Sequence, residues 1–114
     1  MYSGSCHCGR ISFEVEGDLS EVKECNCSHC SRKAYLLWFV PRDTLRLKSG
    51  EGEYSTYRFN KHVISHHFCA TCGCAPFATG KAPNGADTAA INVRCLEGIE
   101  LGTVKRVAVD GRSR

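Results

Sequence analysis

Nine cysteines occupy 114 residues, and most fall in three short groups. These are Cys6-His7-Cys8-Gly9, Cys25-Asn26-Cys27-Ser28-His29-Cys30 and Cys69-Ala70-Thr71-Cys72-Gly73-Cys74, with Cys95 apart. Thiols this close together suit metal chelation better than long-range bridging, and an odd number cannot pair completely within one chain. Two cysteines three positions apart can wrap one metal in a tight knuckle. A glycine directly after them suits a turn that needs positive φ. Cys69-x-x-Cys72-Gly73 has that form, and Cys6-x-Cys8-Gly9 is its shorter counterpart. A structural zinc takes four ligands, so Cys6, Cys8, Cys69 and Cys72 together make one closed four-thiolate site. Two independent pairs of buried thiols are the bland alternative.

Cys25, Cys27 and Cys30 can all reach one ion but fall one short of tetrahedral zinc. Three protein ligands plus an open position is the arrangement of a catalytic zinc. The open position can take water or an incoming thiolate, and thiolate-rich sites accept sulfur ligands well. Alternatively Cys74, Cys95 or a cramped His29 supplies the fourth ligand and closes the site. Cys74 and Cys95 otherwise read as small buried hydrophobes, with Cys95 the nearer to the open site.

The third thiolate already makes a zinc site anionic, so nearby cations would favour an anionic thiol. Arg32 and Lys33 follow the CxCxxC group and Arg94 precedes Cys95. They are candidates for the carboxylates of a thiol substrate, since guanidinium pairs with carboxylate bidentately. Ordinary solvated charges are the bland reading. His66 and His67 precede Phe68-Cys69, and one of them could move a proton. Strand alternation puts the two on opposite faces, so at most one faces the site. His7 and His29 sit between ligands and are expected to point away from the metal. Trp38, Phe39, Phe59 and Phe77 are expected in the core.

The positioning elements read as short strands. Ile11, Phe13 and Val15 alternate with polar residues until Gly17-Asp18. Tyr35 to Val40, Leu45 to Leu47, Tyr54 to Phe59, Val63 to Phe68, Ala89 to Val93 and Ile99 to Val109 are further strand candidates, the last broken by Gly102. One helical turn is expected at Ser28 to Lys33, with Ser28 as its cap. Many short strands between turn signals predict a mainly β domain spanning residues 1–114.

Composition narrows the function. Charged residues are 24% and the net charge is +3, with no dense Lys/Arg patch, so a nucleic-acid partner is not expected. The start MYSGSCHCGR lacks a basic stretch followed by an apolar run, so no signal peptide is expected. The run YLLWFVP is far shorter than a membrane span. Unpaired cysteines fit the reducing cytoplasm.

The stretches "GSCHCGRISFEVEG", "ECNCSHCSRKAYLLWFVP", "HHFCATCGCAPF" and "INVRCLEG" resemble, in order, the glutathione-dependent formaldehyde-activating family, which also contains centromere protein V. The resemblance implies a β-tent fold of small antiparallel sheets and two zinc sites. It places a structural zinc on Cys6, Cys8, Cys69 and Cys72 and a catalytic zinc on Cys25, Cys27 and Cys30. It implies a carbon–sulfur lyase acting on a small thiol and a small aldehyde, with S-hydroxymethylglutathione as the type product. The competing reading is a non-catalytic zinc module for protein interaction, with both sites closed and an exposed apolar patch.

Overall fold

Phe13 and Val15 are fully buried while Ser12 and Glu14 are half-buried, the alternation expected of a strand with one face on a core. The computed structural model describes residues 1–59 and 64–113. Its strands, in chain order, are β1 (Tyr2–Ser5), β2 (Ser12–Val15), β3 (Glu21–Cys25), β4 (Leu37–Pro41), β5 (Leu45–Ser49), β6 (Tyr54–Tyr57), β7 (Ser65–Cys69), β8 (Phe77–Lys81), β9 (Asp87–Asn92) and β10 (Lys105–Val109). One short helix, α1 (Ser28–Lys33), follows β3. The protein is mainly β, as expected.

A three-stranded sheet runs β1-β2-β5, and a seven-stranded sheet runs β10-β3-β4-β9-β8-β7-β6. Neighbours pair antiparallel except β10 with β3, which are parallel. One face of the larger sheet shares the main core, with Ile11, Phe13, Val15, Trp38, Phe77 and Ile91 among its members. The other face carries a second cluster of Cys30, Tyr35, Leu37, Ala75, Ala78 and Ala90, against which Cys25, Cys27 and Phe68 pack.

Register explains the division. His67 lies opposite Phe77, Phe77 opposite Ile91, and Ile91 opposite Trp38. Directly opposed residues point to the same face, so this row enters the main core. The adjacent row is Tyr57, His66, Ala78, Ala90 and Phe39. It therefore lies on the face that carries the three-cysteine group.

Several expectations change. Trp38 and Phe77 are core residues, but Phe39 is 52% exposed. It shares the face of Leu37, opposite the main core, but joins neither buried cluster. Phe59 is only half-buried. The strand expected over Ile99 to Val109 is a 3₁₀ turn at Leu101–Thr103 followed by β10; only the latter part finds a partner, β3. The strand expected from Val63 starts at Ser65, and Val63 lies outside the described residues. β1, β3 and β8 lie outside the stretches whose pattern predicts strand. In β3 only Val22 is buried, so the apolar period is missing. Among the described residues no helix is long and apolar enough to cross a membrane.

Candidate metal centres

Cys6 and Cys8 follow β1 on the smaller sheet, whereas Cys69 ends β7 and Cys72 lies in the turn after it. The four Sγ atoms lie within 4.8 Å of one another. Cys6 and Cys8 Sγ are 3.7 Å apart, and Cys8 and Cys69 Sγ are 3.6 Å apart. Peptide N–H groups converge on them. Ile11 donates to Cys6 Sγ, and Thr71 and Cys72 both donate to Cys69 Sγ, each at 3.4 Å. Gly9 and Gly73 adopt φ of 83° and 80°, which lets the two knuckles turn where a side chain would be strained. The backbone N–H groups of Cys74 and Cys8 lower the Cys72 thiol to about 5, because donors to a thiolate favour its charged form. This donor set fits a soft divalent cation such as zinc, whose thiolate ligands must be deprotonated. A metal here would tie the two sheets together.

The second group has a different support. Cys25 ends β3, Cys27 precedes α1, and Cys30 lies in its first turn. Their Sγ atoms also lie within 4.8 Å of one another. The cap of α1 is Cys27 rather than Ser28. Its Sγ accepts the N–H of Cys30 at 3.2 Å, because the extended backbone one residue earlier turns the thiol back over the helix start. Cys25 Sγ accepts the N–H of Cys27 at 3.4 Å. Burial acts to raise the Cys27 thiol, but the N–H groups of Cys30 and His29 and the neighbouring thiols outweigh it, and its pKa falls below the ordinary value. Burial, followed by the adjacent Cys27 and Cys25, pushes Cys30 upward instead. Without metal, Cys27 is therefore the readier of these two thiols to ionise and Cys30 the more reluctant.

Neither Cys74 nor Cys95 joins this group within that reach. Cys95, expected to approach the three-cysteine group more readily than Cys74, does not join it. Its thiol, pushed up to about 12 chiefly by burial, feels Cys74, Cys6 and Cys72, which are on the side of the four-cysteine group. Tyr35 packs with Cys30; burial raises it to about 12, with Cys30 and then Cys95 adding to the effect.

The two histidines separate as strand alternation requires. His67 faces the main core, with Nδ1 2.9 Å from Thr56 Oγ1 and Nε2 2.8 Å from Thr79 Oγ1. His66 faces α1, its ring 4.3 Å from that of His29 and 5.4 Å from that of Phe59. Among the described residues, Nδ1 of His66 and Nδ1 of His29 are buried without a hydrogen-bond partner. His29 also packs against Tyr35, Tyr57 and Phe59, so the ring next to the ligands joins an aromatic wall. His7 is exposed.

Burial first lowers both His66 and His67 to about 4; His29, His67 and Lys33 add to the effect at His66, and Arg58 and Arg42 at His67. An unfolded histidine titrates near 6.5. The unfolded chain therefore binds more protons between those values, and stability falls as pH drops from about 6.5 toward 4. Nitrogen NMR should find both rings neutral from pH 7 to about pH 5. A midpoint near 6.5 for either ring would contradict its burial.

The cationic candidates are dispersed. Arg94 Nε donates to Ala34 O at 2.9 Å, which fastens the segment after β9 to the end of α1. Ala34 is the left-handed cap there, with φ of 57°. Lys33 Nζ lies 5.6 Å from the centre of the Phe68 ring, on the face of the three-cysteine group. Arg32 Nη1 bonds Ser28 O at 2.8 Å along its own helix. A groove of about 310 Å³ lined by Arg42, Ser65, Thr79, Lys81 and Asp87 contains none of the cysteines.

Fold and clusters define a small β protein with two cysteine groups able to hold metal ions. Residues 1–107 match the profile of the glutathione-dependent formaldehyde-activating enzyme family. The chain belongs to that family, as the cysteine-bearing stretches implied. It is also similar to a crystal structure of a Rhodobacter sphaeroides protein, at 29% identity and a TM-score of 0.79 over 92% of this chain and 99% of that one.

Proposed function

We propose that this protein is a zinc-dependent carbon–sulfur lyase that joins a small thiol, glutathione or a similar molecule, to a small aldehyde such as formaldehyde, and catalyses the reverse reaction. The observation that carries this reading is the three-thiol cluster of Cys25, Cys27 and Cys30, which no further cysteine completes within ligand reach among the described residues. Such a set leaves a fourth tetrahedral position for substrate. Cys6, Cys8, Cys69 and Cys72 are read as the structural site. The many unpaired thiols suit a reducing compartment, and we place the protein in the cytoplasm.

A zinc ion held by Cys25, Cys27 and Cys30 would act as a Lewis acid that draws the substrate thiol, ordinarily near pKa 8.5, into its thiolate form. In the addition, the thiol sulfur bonds to the aldehyde carbon and the C=O π pair moves to oxygen. The thiol proton ends on that oxygen, giving a hemithioacetal without net oxidation. His66 is the residue that can carry the proton. Its Nδ1 has no hydrogen-bond partner among the described residues, and its ring lies against that of His29, the residue before Cys30. The alanines at 78 and 90 keep the adjoining sheet surface low. Arg32, Lys33 and Arg94, all at or beside α1, are the candidates for substrate carboxylates, although Arg32 and Arg94 each already donate to a backbone carbonyl there.

The test is hemithioacetal formation from glutathione and formaldehyde, followed by exchange NMR with protein of measured zinc content. Acceleration above the uncatalysed background is expected. A protein carrying two zincs that gives none would favour the non-catalytic module. His66→Asn should keep both metals and lower turnover by about 10²-fold, within the usual range for a proton-transfer group. Unchanged turnover would remove His66 from the mechanism.

A further inference from the structure

β10 lies parallel to β3 with Val109 opposite Cys25, so the chain leaves the sheet beside the three-cysteine group. There Asn26, between two of the ligands, grips it at several points. Its backbone N–H donates to Val109 O at 3.1 Å. Its Nδ2 donates to Asp110 Oδ1 at 3.0 Å, and its Oδ1 accepts the N–H of Arg112 at 2.9 Å. Between those anchors, Gly111 passes against the thiols. A Cβ on Gly111 would collide with Cys25 Sγ and stand 3.1 Å from Cys27 Cβ. The 110–112 segment also lies beyond the 1–107 stretch matched to the family.

We infer that Asn26 and Gly111 are positioning residues for the three-cysteine metal centre, with residues 110–112 forming a strap that fixes the thiols of Cys25 and Cys27. The clamp fills both hydrogen-bonding ends of the Asn26 amide, so the peptide between Cys25 and Cys27 cannot rotate freely. Glycine at 111 lets the backbone lie directly on Cys25 Sγ. A soft divalent cation then meets thiols already held near one another, and less of its binding energy is spent on ordering them. The inference rests on reading Cys25, Cys27 and Cys30 as a metal centre.

The experiment uses the full chain with the four-cysteine site filled with zinc. Co²⁺ is titrated into the second site and its sulfur-to-metal charge-transfer band recorded, with chelator competition for affinity. Gly111→Ala and Asn26→Ala should keep the wild-type melting curve and the first zinc. Each should weaken the second site by about 10- to 100-fold, the usual cost of losing an outer support, and alter the band. Wild-type affinity and spectrum in both variants would overturn the strap while leaving the metal centre intact. A wild-type protein that takes no second metal would overturn the metal centre and the strap with it. Should Gly111→Ala fail to fold, Asn26→Ala decides alone, since it adds no atoms near the thiols.

Discussion

Cys72→Ser should leave the protein unfolded at temperatures where the wild type is folded. Cys72 shares its site with Cys69 at the end of β7 and with Cys6 and Cys8 after β1. The link therefore joins the three-stranded sheet to the seven-stranded one. A structural zinc in a small peptide contributes about 10–16 kcal/mol of folding free energy at neutral pH. The whole stability of a domain is only about 5–15 kcal/mol. A serine hydroxyl keeps the volume but not the soft anionic ligand. Loss of the site thus removes a contribution as large as the total, and the core must hold alone. Calorimetry and zinc analysis check this. Chelation of the wild type should reproduce the effect, and a variant that melts like wild type would show the four-cysteine group to be dispensable.

The members of both cysteine groups were legible because ligand spacing is local. Cys6/Cys8 and Cys69/Cys72 each announce a knuckle, and the glycines at 9 and 73 take the positive φ that the spacing demanded. Strand alternation likewise separated His66 from His67. Sequence spacing could not say which of them faces α1, because that depends on the register of β7 against β8. Nor could it place Cys95, whose neighbours Cys74, Cys6 and Cys72 are gathered by the fold. Phe39 looked like core because an apolar run carries no mark of where the cover on one face ends. Asn26 and Gly111 were invisible for the same reason: their meeting is made by the parallel β3–β10 pairing, and neither residue type signals it. The aromatic wall of Tyr35, Tyr57 and Phe59 around His29 is assembled from separate stretches of the chain.

Cys27→Ser separates the chemical role of the second group from its structural one. Cys27 has two tasks, since its Sγ caps α1 through the N–H of Cys30 and also belongs to the three-thiol cluster. Serine performs the first task well, being a favoured N-cap whose loss would cost only about 1 kcal/mol. It fails the second, because a neutral hydroxyl is a poor ligand for a soft cation. The helix and the fold should therefore survive while one of two metals is lost. Hemithioacetal formation should fall to the uncatalysed background, because at neutral pH a free thiol near pKa 8.5 is mostly protonated. Metal analysis, thermal melting and exchange NMR on the same sample read the three quantities together. Retention of both metals with full turnover would exclude Cys27 as a catalytic ligand. Collapse of the fold would show that the three-cysteine group, like the four-cysteine one, holds the protein together.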